Sequence, residues 1–174
     1  MWFKLDLDGI IFLFRILQYK PSTKENWDEE WCRVDLHLQA GDWLNYRLVS
    51  NEILLSSEVE DLRDGIDALL HDRLGKPEEL ECIEPDLVFH FNPKMDARDN
   101  PRVLYVKPGN EIVDIDMEMI ISFWNGGLTA NRMVLGFDRS DMEKLLCYLR
   151  YVTGSLSKDS SDVAKLVVEG TLYE

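Results

Sequence analysis

The sequence predicts an α+β fold of largely antiparallel sheets, built from hairpins and carrying two amphipathic helices. Three observations lead to this prediction. Apolar and polar residues alternate along many segments, which is the period of a half-buried strand. Turn sequences such as Asp8-Gly9 and Asn125-Gly126-Gly127 separate consecutive segments. Twice, after four such segments, the apolar period changes to that of a helix, so the predicted order is ββββα-ββββα.

The first four strands are predicted from alternation and from the turns between them. A polar loop over Lys20–Glu30 separates the first hairpin from the second, and Ala40-Gly41-Asp42 turns the second. The predicted strands are Phe3–Leu7, Ile10–Tyr19, Trp31–Gln39 and Trp43–Leu54.

A helix is predicted over residues 58–74. Ser57 and Glu60 have the spacing of a capping box, and Gly75 with Pro77 provides a stop. Gly65 weakens the interior of this helix slightly. The apolar stripe consists of Val59, Leu62, Ile66, Leu69, Leu70 and Leu74.

The second half repeats this order. A second capping box at Ser140 and Glu143 opens an amphipathic helix that Gly154 ends. The two halves could derive from an ancient duplication or resemble each other by chance, since such helix signals are common. The predicted strands are Leu87–Phe91, Val103–Lys107, Glu111–Trp124 and Leu128–Phe137.

These elements predict a single domain over residues 1–154, with halves at 1–76 and 77–154. Residues 155–174 form a tail that begins polar and then contains the apolar run Val163–Val168, so it could dock as an edge strand or a helix, or remain loose. The three cysteines have no short spacing, which argues against a disulfide framework or a zinc cluster.

The charge balance restricts the class of partner. The chain has 33 acidic and 19 basic residues, a formal net charge of −14. Such a charge repels phosphate backbones and anionic lipid, so neither nucleic acid nor a membrane is the expected partner, whereas a basic protein would be attracted. The acidity could also serve solubility alone. The apolar run Ile10–Leu17 follows two aspartates and contains Arg15, unlike a signal peptide, so a cytoplasmic location is expected.

Catalytic motifs are not found. The sequence has neither a glycine-rich phosphate loop nor a nucleophile elbow, and His37, His71 and His90 lack metal-ligand spacing. We therefore expect a binding protein that is not an enzyme and has neither a cofactor nor a metal site.

An acidic stripe on the longest predicted strand is the most suggestive feature. Alternation places Asp114, Asp116 and Glu118 on one strand face, about 7 Å apart. The stripe could be a solvated outer face, bind a basic partner, or hold a cation or acid–base groups.

Two further segments are acidic. Asp28, Glu29 and Glu30 lie between Trp27 and Trp31, a combination that suits recognition of Lys and Arg or, alternatively, a core tryptophan beside a solvated loop. The other acidic segment runs from Glu78 to Asp86.

The order of motifs resembles a known family. Glu84-Pro85-Asp86-Leu87-Val88-Phe89 follows a helix that contains Leu69-Leu70, a long alternating strand comes next, and Phe137–Leu149 holds an aspartate-led helix. Together with the early Trp27–Trp31 segment, residues 3–152 resemble the WapI-type immunity proteins, cytosolic antitoxins of bacterial contact-dependent toxin systems. The loop Asn92–Pro101 and the tail lie outside this resemblance.

The resemblance implies that the chain binds the toxic C-terminal domain of a polymorphic toxin, often a basic nuclease, and blocks it. It carries over no catalytic residues. The alternatives are a general interaction module, such as a homodimer joined through a strand edge, and a small metal-dependent enzyme that uses the acidic stripe.

Overall fold

The computed structural model of the chain describes residues 1–23, 30–99 and 103–174. A short 3₁₀ turn covers Ala97–Asp99. The elements in chain order are β1 (Trp2–Leu7), β2 (Ile10–Leu17), β3 (Trp31–Ala40), β4 (Leu44–Leu55), α1 (Ser56–Leu70), β5 (Glu78–Glu81), β6 (Leu87–Asn92), β7 (Met95–Asp96), β8 (Ile112–Val113), β9 (Asp116–Trp124), β10 (Leu128–Phe137), α2 (Arg139–Val152), α3 (Ser161–Val168) and β11 (Leu172–Tyr173).

The strands form two main sheets, which confirms the α+β class with mostly antiparallel pairing. The five-stranded sheet has the order β11-β1-β2-β3-β4, and the four-stranded sheet has the order β10-β9-β6-β5. In each sheet four strands neighbour one another in chain order, and a helix follows the last of them. The predicted ββββα-ββββα order is not fully matched, because β7 and β8 form a separate pair and α3 and β11 follow the second helix.

The inner faces of the two sheets share one hydrophobic core with the helices. Phe12 of the five-stranded sheet meets Phe137 of the four-stranded sheet, with ring centroids 5.7 Å apart. Tyr148 of α2 stacks on Phe3 at 5.1 Å, and its hydroxyl accepts a hydrogen bond of 2.8 Å from the backbone N–H of Ile16. The outer face of each sheet is left as molecular surface.

Helix α1 begins two residues before the predicted start and ends four residues before the predicted end. The carboxylate of Glu58 accepts bonds from the backbone N–H groups of Leu55 (2.7 Å) and Ile83 (2.6 Å), so Glu58 rather than Glu60 satisfies the helix start. Glu60 instead accepts a bond of 2.6 Å from the Tyr19 hydroxyl. At the other end Asp72, with φ of 52°, turns the chain before Gly75.

Helix α2 begins at a different cap from the one predicted. Asp138 accepts from the N–H of Asp141 at 2.9 Å, and Asp141 lies in the first turn, so Asp138 and Asp141 take the roles predicted for Ser140 and Glu143. Gly154 ends this region with φ of 77°, as its position in the sequence indicated.

Two strand predictions in the second half are wrong. Residues 103–107 form no strand, because no described segment pairs with them. The predicted strand Glu111–Trp124 is divided at Asp114 and Ile115. At this break the Asp114 carboxylate accepts a hydrogen bond from Arg139. Strand β5 was not predicted at all, since Leu80 is its one apolar residue.

The tail docks in two ways. Val163 and Leu166 of α3 are buried, and β11 pairs with β1 through Trp2↔Tyr173 and Phe3↔Leu172. The C-terminal residues therefore complete one edge of the five-stranded sheet.

Gly65 marks the closest approach of α1 to the four-stranded sheet. A Cβ atom at this position would lie 2.7 Å from Cζ of Phe91, which is inside the contact limit. We expect Gly65→Ala to lower the free energy of unfolding by about 1–3 kcal/mol, because overpacking outweighs the gain of about 1 kcal/mol in helix propensity. Urea denaturation measures the change.

Phe91→Leu provides the matched test of this contact. In the Gly65→Ala background the smaller side chain should recover part of the lost stability. A Gly65→Ala protein at least as stable as the wild type would show that the helix and the sheet do not approach so closely.

Candidate functional site

The structure places the three residues of the predicted acidic stripe differently. Asp116 and Glu118 lie on β9 and point outward between the buried residues Ile115, Met117 and Met119. Asp114 lies just before β9 and accepts a bond of 3.1 Å from the guanidinium of Arg139. This arginine lowers the pKa of Asp114 by hydrogen bonding.

Asp116 and Glu118 share their surface with carboxylates from another strand. Glu79 and Glu81 on β5 are opposite His90 and Val88 of β6, which are in turn opposite Glu118 and Ile120 of β9. Residues opposite one another across an antiparallel pair project from the same face. We call the outer face of the four-stranded sheet, with its carboxylates Glu79, Glu81, Asp116 and Glu118, the acidic face.

His90 lies between two of these carboxylates. Its Nε2 is 2.8 Å from Oε2 of Glu79, and its Nδ1 is 3.4 Å from Oε2 of Glu118. Both glutamates remain about half exposed, so their charges are available to a partner. Arg132 lies towards the opposite end of this face, across from Ser122.

The acidic face also contains an apolar row. Val134, Ile120 and Val88 are consecutive cross-strand neighbours on β10, β9 and β6, and Glu81 ends the row. In the sequence Ile120 interrupts the polar series Asp114, Asp116, Glu118 and Ser122, and the register places it outward beside Val134 and Val88. An apolar centre with a charged rim is the usual composition of a protein-binding surface.

The outer face of the five-stranded sheet has a different charge. Cross-strand register places Lys4, Leu13, His37 and Arg47 in one row. In the neighbouring row, Arg15 lies 4.4 Å from the centroid of the Trp2 ring and pairs with Asp35. The two outer faces are therefore electrostatically unlike, because on the five-stranded sheet basic residues accompany the carboxylates Asp6, Asp35 and Glu52.

The second predicted cluster is only partly visible. Trp27, Asp28 and Glu29 lie outside the described residues. Glu30 is 8% exposed, and its Oε1 accepts bonds from the N–H and the hydroxyl of Thr23 at 2.6 and 2.7 Å. These bonds from Thr23 lower the pKa of Glu30. Glu30 thus lies inside the molecule, where it fixes the chain before β3.

The third acidic segment divides between surface and interior. Glu79 and Glu81 join the acidic face, whereas Asp86 is buried and accepts a hydrogen bond from the Trp124 indole. Burial, and secondarily the charge of Glu84, raises the pKa of Asp86 to about 6. Sequence reasoning did not place Glu79 and Glu81 beside Asp116 and Glu118, because only the pairing of β5 reveals it.

A cleft of 620 Å³ lies between the end of α1, α2 and α3. Its lining mixes charges of both signs with apolar groups, including Lys144, Glu143 and Leu146. Burial raises the pKa of the Cys147 thiol in this cleft, so the thiol stays protonated and is a poor nucleophile.

Among the described residues, no group of three His, Cys, Asp or Glu side chains is arranged so that it could hold a metal ion, and no helix is long and apolar enough to cross a membrane.

Comparison with protein-family models gives a match. Residues 3–155 match the model of the immunity protein WapI-like family, which covers most of the chain. No curated protein matches the chain.

Proposed function

Because this chain belongs to the immunity protein WapI-like family, we propose that it binds and neutralises a basic toxin domain of the nuclease class, with the acidic face as the contact surface. It acts by occupying the toxin and not by catalysis. Its place of action is the cytoplasm, where its three free thiols would remain reduced.

The observation that carries this proposal is the group of four carboxylates on the outer face of the four-stranded sheet. Glu79, Glu81, Asp116 and Glu118 project from paired strands, so their spacing is fixed before a partner arrives. Little conformational entropy is then lost on binding.

Nuclease domains hold phosphates with cationic grooves, so a row of carboxylates can take the place of the nucleic-acid backbone. The net charge of −14 would draw a cationic domain in from a distance and raise the association rate. The apolar row of Val134, Ile120 and Val88 would then exclude water at the centre of the contact.

Self-association through the edge strand β4 is less favoured. Strand β4 forms one edge of the five-stranded sheet, and its pairing with β3 shifts register at two places. Ser50, with φ of 54°, bends the strand near one of these shifts. Irregularities of this kind hinder the pairing of an edge with another strand.

Binding of a toxin domain at several ionic strengths tests the proposal. The probe is the C-terminal domain encoded by the reading frame directly upstream, made by cell-free synthesis and titrated with the chain in a calorimeter. We expect tight binding that weakens at least about tenfold between 50 and 500 mM salt, because exposed charges are screened. Co-expression should also protect cells from the domain.

Two results would contradict the proposal. If the chain neither binds the domain nor protects cells, the proposal of a toxin partner is wrong. If binding is tight but independent of salt, the electrostatic contact surface is wrong, whereas the immunity function still stands.

A further inference from the structure

A long excursion leaves the four-stranded sheet next to the acidic face. Strands β6 and β9 are direct neighbours, and Asn92 at the end of β6 is opposite Asp116 at the start of β9. The Nδ2 of Asn92 donates a bond of 2.7 Å to Oδ1 of Asp116, which closes the base of the excursion. A turn of a few residues would connect such strands, but residues 93–115 intervene.

The described parts of this excursion, residues 93–99 and 103–115, are here called the recognition arm. Its own contacts give it shape. Strands β7 and β8 pair through Met95↔Val113 and Asp96↔Ile112, and the N–H of Ala97 donates to the carbonyl of Glu111 at 2.7 Å. Arg98 Nε donates to Asp96 at 2.8 Å. These contacts order the part of the arm around β7 and β8, although little of it is buried.

The recognition arm presents apolar side chains to solvent. Leu104 is 100% exposed, Tyr105 is 76% exposed and Ile112 is 55% exposed. Val103, Val113 and Met95 on the same arm are also exposed. Large apolar groups gathered on a surface segment that the core does not need are typical of interaction sites.

We propose that the recognition arm is the part of the toxin-binding surface that provides apolar anchors, with Leu104 and Tyr105 entering an apolar pocket on the cationic toxin domain that occupies the acidic face. This inference rests on the proposed function. Asp116 of the acidic face lies at the foot of the arm, opposite Asn92, so a cationic partner seated on that face lies against the base of the arm as well.

The negative charge of the chain favours a cationic toxin domain over a second copy of the chain as the partner of the arm. Two copies joined arm to arm would bring the carboxylates at the foot of each arm towards one another, in a molecule that already carries −14. Such an approach is repulsive. A cationic toxin domain gains from the same carboxylates.

The test compares two double variants against the upstream-encoded toxin domain by calorimetry. Leu104→Ala with Tyr105→Ala removes the anchors. Trp43→Ala with Val168→Ala removes similarly exposed apolar groups from other parts of the surface. We expect at least about 30-fold weaker binding for the arm variant and at most about threefold for the control, with unchanged melting temperatures.

The outcomes separate this inference from the proposed function. Tight binding by the wild type and equally tight binding by the arm variant would overturn the role of the arm and leave the function intact. Absence of wild-type binding would overturn both. Sedimentation showing a wild-type dimer that the arm variant loses would assign the arm to a second copy and overturn the inference.

Discussion

Reversing Asp114, Asp116 and Glu118 to lysine should weaken binding of the toxin domain at least about 100-fold without unfolding the chain. The substitutions at Asp116 and Glu118 each remove an attraction for a cationic partner and add a repulsion, whereas the substitution at Asp114 also breaks its pair with Arg139. The net charge rises by two for each of three residues, from −14 to −8. Calorimetry measures the affinity, and circular dichroism confirms that the protein remains folded.

A second triple variant separates local charge from net charge. Asp42, Asp159 and Glu174 are exposed and lie outside the acidic face, and their reversal to lysine produces the same net charge. We expect this variant to slow association modestly and to lose less than about tenfold in affinity, because distant exposed charges are screened. If the two triple variants weaken binding equally, the acidic face has no special role.

Replacing Asp35 with alanine should lower the free energy of unfolding by about 3 kcal/mol. The Asp35 side chain is 3% exposed, whereas that of its partner Arg15 is 33% exposed. Asp35 accepts from Nε of Arg15 at 2.8 Å and from the N–H of Ser50 at 2.7 Å. Its loss leaves a half-buried guanidinium and a backbone donor without their acceptor, which is costly in a low-dielectric interior.

The matched control is Glu52→Ala on the same sheet. Glu52 lies 3.6 Å from Arg33 in an ion pair with both side chains about half exposed. Exposed pairs contribute less than about 1 kcal/mol, so this variant should stay close to wild-type stability. Chemical denaturation compares the two variants, and similar losses for both would show that burial of Asp35 is not the source of its effect.

The hairpins could be predicted from local sequence because local chemistry determines them. Asp8 and Gly9 both adopt positive φ, as the turn between β1 and β2 requires, and the buried residues of both strands follow the alternation. The amphipathic stripes of α1 and α2 are equally local. These features account for the correct class and the largely antiparallel pairing.

The start of α1 depends on a contact that a sequence pattern does not contain. Glu58 is positioned by the N–H of Ile83, which is 25 residues away in the chain. Strand β5 has one apolar residue, so its acidic segment resembled a solvated loop until β6 paired with it. Residues 103–107 show the opposite error, since apolar and β-branched residues suggested a strand that no described neighbour pairs.

Only part of the candidate site was predictable from the sequence, because the rest of the site depends on which strands pair. Asp116 and Glu118 follow from alternation along β9, but Glu79 and Glu81 join them only through the register of β5. The sequence suggested that Glu30 is a surface residue, whereas the hydroxyl of Thr23 donates a hydrogen bond that holds its side chain inside the molecule. The sequence predicted strands within the recognition arm but not the arm itself, because what distinguishes it is the adjacency of Asn92 and Asp116 in the sheet.

Carboxyl footprinting by mass spectrometry, with and without the bound toxin domain, tests directly whether the acidic face is the contact surface. We expect Glu79, Glu81, Asp116 and Glu118 to be modified more slowly in the complex, while Asp42, Glu52, Asp159 and Glu174 react at the rate of the free chain. Unchanged modification of the first group, or protection confined to the second, would contradict the assignment of the toxin-binding surface to the four-stranded sheet.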